Sequence, residues 1–446
     1  TNNLEVVPLG ESTSYFLSSN WPHPNFAGDF LPGTRTVNAR KKTYHRRSIR
    51  LVMRRSNDRF PFSHPQRSFP MPGLLPDVDP DGLLEFSVVY TDRSLNHMSK
   101  KFITAMQDIL GMLGEVYEAH TSAIVPGGGT YGMEAVARQF GQDQKVLILR
   151  NGFFSYRWSQ IFETGRIASQ IIVCKARPTS ADAQAPWAPA PIDEVVETIR
   201  REKPALVFAP HVETASGIVL PDAYLKQVAA AAHDVGALFV LDCIASGAMW
   251  VRMRDCDVDV LISAPQKGWS STPCAAMVCL SERARNAMDA TTSSSFACDL
   301  KKWLMIAEGY VKGQHAYHAT MPTDGLLLLR NAMLETRKDG FETTRQRQIE
   351  LGSKMRTLLE NRGFASVAAE GYKAPGVVVS YTTDPDMRSG SKFVATGLQT
   401  ASGVPLMCDE PQGFSTFRLG LFGLDKLRHV DRTVATMQDA LDRMGV

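Results

Sequence analysis

Apolar and polar positions follow two rhythms along this chain. Short runs of three to five apolar, often β-branched residues recur at Ala123-Ile-Val125, Val146-Leu-Ile-Leu149, Ala205-Leu-Val-Phe-Ala209, Ala237-Leu-Phe-Val-Leu241 and Val258-Asp-Val-Leu-Ile262. Runs this short, closed by polar, Gly or Pro residues, predict buried strands. Longer stretches carry a helical spacing instead. Phe102, Met106, Ile109, Leu110 and Leu113 form one stripe after Met98, with Asn96 or Ser99 as the cap. An Ala-rich helix is expected from Ala223 to Val235, stopped by Gly236. Further helical patterns run over Leu300 to Ile306, over Leu326 to Leu329 with Thr323 or Asp324 as cap, and over Phe341 to Arg362. Strands alternating with helices predict an α/β fold with a mostly parallel sheet, whose functional residues gather at the strands' carboxyl ends.

Three segments are expected. Residues 1–65 form a Pro-, Asn- and Ser-rich arm, 66–329 the large α/β part, and 330–446 a smaller α+β part in which Gly376-Val-Val-Val-Ser-Tyr381 suits a small sheet. Between arm and core stand a Pro/Gly loop, Ser68 to Pro76, and a polar turn, Asp77 to Gly82.

A formal charge of +3 over 446 residues is close to neutral, so the surface as a whole is not that of a nucleic-acid binder. No stretch approaches the roughly 20 apolar residues a membrane span needs. Seven cysteines, without a Cys-x-x-Cys pair, argue against a disulfide framework or a zinc ribbon and for a reducing, cytoplasmic setting. One local bias stands out. Thr34 to Ser56 is rich in Arg and Lys and holds no acidic residue. It reads as a solvated or partner-facing arm, as an organelle transit segment, or as a phosphate- or nucleic-acid-binding arm. The first reading, an arm lying over its own dimer, is the one expected; the second would move the protein to an organelle.

Candidate chemistry lies where the strands end. Lys267, in Ser263-Ala-Pro-Gln-Lys-Gly268, follows a buried run, where poor solvation lowers an amine's pKa and readies it to form an imine with a carbonyl. A surface turn lysine is the plainer reading of that residue alone. Asp242 follows another buried run, 25 residues earlier, and capping a helix is the commoner role for an Asp there. Pro126-Gly-Gly-Gly-Thr130 lies between a strand and a helix, which aims free N–H groups at an anion, though it also serves as a tight turn. Phe154 could be core and His211 a satisfied core imidazole. Together the acid, the lysine and the glycine loop form a specific pattern.

Gly128-Gly-Thr-Tyr-Gly-Met-Glu-Ala135, His211-Val-Glu-Thr-Ala-Ser-Gly217, Asp242-Cys-Ile-Ala-Ser246 and Ser263-Ala-Pro-Gln-Lys267 resemble the successive motifs of class V aminotransferases, nearest the alanine–glyoxylate/serine–pyruvate branch. The resemblance spans roughly residues 68 to 440. It implies a fold-type I enzyme with a mostly parallel seven-stranded sheet, using pyridoxal 5′-phosphate. By the same resemblance, Lys267 would hold the cofactor covalently and move the substrate proton, and Asp242 would pair with the pyridine nitrogen. Phe154 and Ile244 would take the two ring faces, and Thr214 the phenolic oxygen. Gly129, Thr130 and Gln266 would hold the phosphate, with Tyr131 beside the ring. Tyr317 and Thr320, in Ala316-Tyr-His-Ala-Thr-Met-Pro322, would reach the phosphate in the other subunit of a homodimer, and Arg418 would grip the substrate carboxylate. The expected reaction moves an amino group from a small amino acid to a 2-oxo acid such as glyoxylate or pyruvate. A lyase, desulfurase or carbon–carbon bond-forming reaction on an unusual anionic substrate is the alternative. A nonenzymatic, nucleic-acid-binding role is opposed by the intact Lys, Asp and Arg set. Two residues depart from the family pattern: Tyr131 replaces a small residue, and Cys274 replaces a glycine and reads as a packed thiol.

Overall fold

The computed structural model describes residues 83–446. The N-terminal arm with its basic run, the loop 68–76 and the turn 77–82 lie outside the described residues.

The short apolar runs become the centre of a seven-stranded sheet. In spatial order its strands are Thr121–Pro126, Ala275–Leu280, Val260–Ser263, Leu238–Asp242, Leu206–Pro210, Lys145–Arg150 and Gln170–Lys175. Neighbours from Gln170–Lys175 to Val260–Ser263 are parallel, and Ala275–Leu280 runs antiparallel to both its neighbours. The strand interiors are wholly buried, which is why they read as unbroken apolar runs rather than as alternation.

The first described helix, Lys100–Tyr117, is capped by Ser99, whose side chain accepts from Phe102 N. Asn96 is not the cap. The Ala-rich helix is Asp222–Asp234, and Gly236, at φ +82°, takes the left-handed turn beyond it. Two expectations need correction. The helix Leu300–Val311 continues past Ile306. The helix Thr323–Asp339 has Pro322 at its N-cap, and the Asp324 carboxylate instead accepts from Leu95 N at 3.1 Å.

A second sheet positions one site residue. Val377–Tyr381, Thr416–Gly420 and Ala401–Ser402 pair antiparallel, with Thr416–Gly420 in the middle. Side chains alternate between its faces. Phe417 and Leu419 enter a core with Leu351, Met355 and Leu441 from the helices Phe341–Glu360 and Val430–Met444. Val377, Val379 and Tyr381 join a different core with Val212, Ala215 and Ile218, from the loop after Leu206–Pro210. Arg418 pairs with Val379, so alternation turns it away from the Phe417 core and toward that loop. Burial of Phe417 alone contributes about 1.5–3 kcal/mol to keeping this register.

Candidate active site

Lys267 sits on a turn at the end of Val260–Ser263. Ser270 N donates to Lys267 O at 3.1 Å and Ser271 N to Pro265 O at 3.0 Å, which closes the turn. Trp269 is fully buried behind it and donates to Ser263 Oγ. A Cβ on Gly268 would collide with the carbonyl oxygen of Gly247, so the backbone can come this close only with glycine there. Burial pushes the Lys267 amine below its ordinary pKa; the nearby Arg418 and Arg157 guanidiniums push the same way and Asp242 opposes them. The amine lies 5.1 Å from the centre of the Phe422 ring.

Asp242 ends its strand 8 % exposed, with Oδ1 accepting from Ile244 N at 2.9 Å. Burial lifts its carboxyl to about 7, the Ile244 hydrogen bond resists, and Glu213 adds to the rise. Next to it, the His211 ring shares a 2.7 Å hydrogen bond with Ser246 Oγ. Its pKa falls to about 4 through burial alone, so it stays a neutral, satisfied core imidazole.

The glycine loop opens the helix Gly129–Phe140, whose start no side chain caps, leaving its first N–H groups for a ligand. A Cβ on Gly129 would stand 2.5 Å from Ile244 Cδ1. Tyr131 does not face the cavity. It is 55 % exposed, and its ring lies over Gly127, where a Cβ would be 2.6 Å away. Cys274 is buried, its carbonyl accepts from Gly127 N, and burial lifts its thiol to about 11, as the packed-thiol reading expects.

Sequence reasoning missed two residues here. Glu213 is fully buried. Its carboxylate accepts from Phe154 N at 3.1 Å, Ser155 N at 2.8 Å, Ala215 N at 3.0 Å and Ser155 Oγ at 2.7 Å. It therefore anchors the first turn of the helix Phe153–Gly165. Gly152 leaves room for that carboxylate, since a Cβ there would be 2.7 Å from Glu213 Cγ. The signal available was an acid three residues after a buried strand, Leu206–Pro210, beside a helix start lacking its own acidic residue. The second is Arg157, one turn into that helix, whose Nη1 donates to Thr130 Oγ1 at 3.0 Å.

Gly129, Thr130, Phe154, Thr214, Asp242, Ile244, Gln266 and Lys267 line one cavity of about 200 Å³, together with Arg157 and Met133. Arg418 stands at its rim. Its Nη1 donates to Thr214 O at 3.3 Å, its Nε to Ser402 O at 2.7 Å, and its guanidinium is 5.5 Å from the Phe154 ring centre. Tyr317 and Thr320 do not line this cavity; their hydroxyls are 3.2 Å apart on an exposed segment. The cavity suits a polar ring with an anionic tail. Gln266 Oε1 is buried with no partner among the described residues, and the amide can turn to present its N–H group instead. Asp242 is a buried acid with, among the described residues, one N–H donating to it, and the uncapped glycine turn lines the same cavity. Among the described residues no His, Cys, Asp and Glu cluster could hold a metal ion, and no helix is long and apolar enough to cross a membrane.

Comparison with known proteins bears on the same residues. The family model "Aminotransferase class-V" matches residues 84–389. That of "Inner membrane protein CreD" matches residues 1–44, outside the described residues. Alanine–glyoxylate aminotransferase of Felis catus is 25 % identical over 360 residues, 78 % of this chain and 82 % of that protein. The 2-aminoethylphosphonate–pyruvate transaminase of Salmonella paratyphi A is 29 % identical over 294 residues, 64 % of this chain and 74 % of that protein. Among solved structures, alanine–glyoxylate aminotransferase from Nostoc sp. superposes with a TM-score of 0.65 at 21 % identity, covering 77 % of this chain and 88 % of that one.

Proposed function

We propose, on the premise that the chain belongs to the class V aminotransferase family and is a pyridoxal 5′-phosphate-dependent transaminase, that it moves an amino group from a small amino acid of the alanine or serine type to a 2-oxo acid such as glyoxylate or pyruvate. The observation that carries this reading is the meeting, in one cavity, of the Lys267 amine and the Asp242 acid, with the Arg418 guanidinium at its rim. The names of the relatives support it: alanine–glyoxylate, L-aspartate–glyoxylate and 2-aminoethylphosphonate–pyruvate aminotransferases all deliver to a 2-oxo acid.

When bound, the cofactor supplies an aldehyde and an electron-accepting ring. The rest falls to side chains of this chain. Lys267 would hold the cofactor, and burial, which weakens the amine's hold on a proton, suits it to take a proton from the substrate Cα and return it. Asp242, on the wall of the same cavity, would hold the ring at its nitrogen and stabilise positive charge there. Phe154 and Ile244 would confine the ring, Thr214 would meet its oxygen, and Gly129, Thr130 and Gln266 would take the phosphate, all of them lining the cavity. Arg418 is partnered only by carbonyl oxygens among the described residues, which leaves its positive charge for a substrate carboxylate. In a homodimer, Tyr317 and Thr320 reach the phosphate of the partner subunit, a reading supported by their exposure and their absence from their own cavity. Residues 66–329 then serve the cofactor, and 330–446 contribute the carboxylate clamp.

The test is a screen of amino donors against 2-oxo acids on the full-length holoenzyme. Alanine or serine alone should bleach the visible absorbance of the cofactor, and glyoxylate or pyruvate should restore it. Lys267→Ala should abolish both. Absorbance that survives the donor while the donor is consumed would instead indicate elimination chemistry.

A further inference from the structure

Arg157 has no role in the reading above, yet its placement is specific. It is a cation on the wall of the cavity, one helical turn after Gly152, and among the described residues no carboxylate pairs with it. Its Nη1 donates to Thr130 Oγ1 at 3.0 Å, and its guanidinium carbon lies 5.1 Å from the Phe154 ring centre. Both contacts hold the guanidinium at the glycine-loop end of the cavity, beside Gly129 and Gln266.

The Thr130 contact sets a direction. A hydroxyl that accepts from a guanidinium has its own proton free to donate elsewhere. With the uncapped helix start, Thr130 O–H and the unpartnered Gln266 amide already there, that end of the cavity has donors, and among the described residues lining the cavity the only cation besides Arg157 is Lys267, which is taken up in holding the cofactor. A phosphate dianion buried there needs one. The electrostatic neighbourhood agrees: Arg157 helps to depress the Lys267 amine and to restrain the rise of the Asp242 carboxyl.

We propose that Arg157 is a cofactor-binding residue, the intrasubunit cation that neutralises the phosphate of pyridoxal 5′-phosphate and orients the Thr130 hydroxyl toward it. The proposal rests on the cofactor reading of this cavity. Glu213 supports it indirectly, because it fixes the helix turn that carries Arg157.

The experiment compares two ligands that differ only in the phosphate. Full-length wild type, Arg157→Gln and Arg157→Lys are freed of cofactor and titrated with pyridoxal 5′-phosphate and with pyridoxal, following absorbance. For Arg157→Gln, affinity for the phosphorylated form should fall about 10- to 100-fold, the range of one charge-assisted contact, while affinity for pyridoxal changes less than about two-fold. Arg157→Lys, which keeps the charge, should recover most of the loss. Equal losses for both ligands would overturn the proposal, as would no loss for either. An unchanged preference for the phosphorylated ligand, with a raised KM only for amino donors bearing a second anionic group, would assign Arg157 to substrate and also overturn it. Far-UV circular dichroism of each variant confirms that the comparison is between folded proteins. If wild type bound neither ligand through Lys267, the cofactor reading of the cavity would fail, an outcome distinct from a failure at Arg157.

Discussion

Replacing Glu213 by Gln changes one atom of a buried group and should cost far more than a surface change of the same kind. The carboxylate accepts from three backbone N–H groups and one hydroxyl, at 2.7 to 3.1 Å. A Gln in the same place keeps one oxygen. If that oxygen faces Phe154 and Ala215, the new NH₂ meets Ser155 N–H, donor against donor, leaving a buried N–H unpaired at about 1–3 kcal/mol. The surviving contacts lose their charge assistance, about half their strength. Relief from burying a formal charge offsets part of this, for a net loss of about 3 kcal/mol. Urea unfolding of the cofactor-free full-length protein measures it, with Glu370→Gln as the control. Glu370 makes a 2.9 Å ion pair with Lys373 but its side chain is 88 % exposed, so its loss should leave the urea midpoint close to that of wild type. The Glu213 variant should unfold at clearly lower urea and release cofactor faster, because Phe154 and Arg157 ride on the anchored turn. A midpoint equal to that of Glu370→Gln would refute the anchoring role.

Other consequences can be measured separately. Arg418→Met should lower kcat/KM for amino acids by about 30-fold or more, in line with about 2–5 kcal/mol for losing one partner of a buried charge pair, while visible absorbance of the bound cofactor persists. Gly268→Ala forces a methyl group against the Gly247 carbonyl and should destabilise the protein by about 3 kcal/mol or more, with cofactor lost alongside. In the cofactor-free protein, the Asp242 carboxyl binds a proton more tightly folded, at about 7, than unfolded, where it has its ordinary value of about 4, so its contribution to stability falls as pH rises from about 4 to about 7. His211 works the opposite way, adding stability as pH rises from about 4 to about 6.5. Asp242→Asn removes only the first term, so stability of the variant should climb with pH across that window more steeply than wild type; a parallel pair of profiles would count against the buried carboxyl.

Much of the sheet was legible because buried parallel strands must be apolar throughout, and five such runs stand out between Ala123 and Ile262. Lys267 and Asp242 were legible for a related reason: polar residues just past those runs have only the sheet's carboxyl edge to occupy. Gln170–Lys175 and Ala275–Leu280 did not stand out, and no local feature of Ala275–Leu280 announces that it runs antiparallel. Direction is decided by the connections and not by the strand. Glu213 and Arg157 were hidden because their partners, Ser155 and Thr130, lie 58 and 27 residues away. Tyr131 misled for the converse reason. Its place in the motif is next to Thr130, but helix geometry turns its ring back over Gly127.

The face-to-face alternation of Phe417, Arg418 and Leu419 has an implication for how such a protein changes. The residues lining the cavity come from positions 129 to 267, while the guanidinium at the rim arrives on a strand of a separate sheet. Alterations in that strand, in the segment 403–415 that leads into it, or in the helices behind Phe417 can shift, remove or replace the anchor while leaving Lys267, Asp242 and the cavity lining in place. New substrate preferences can therefore arise by drift in the last hundred residues, with the older chemistry inherited intact.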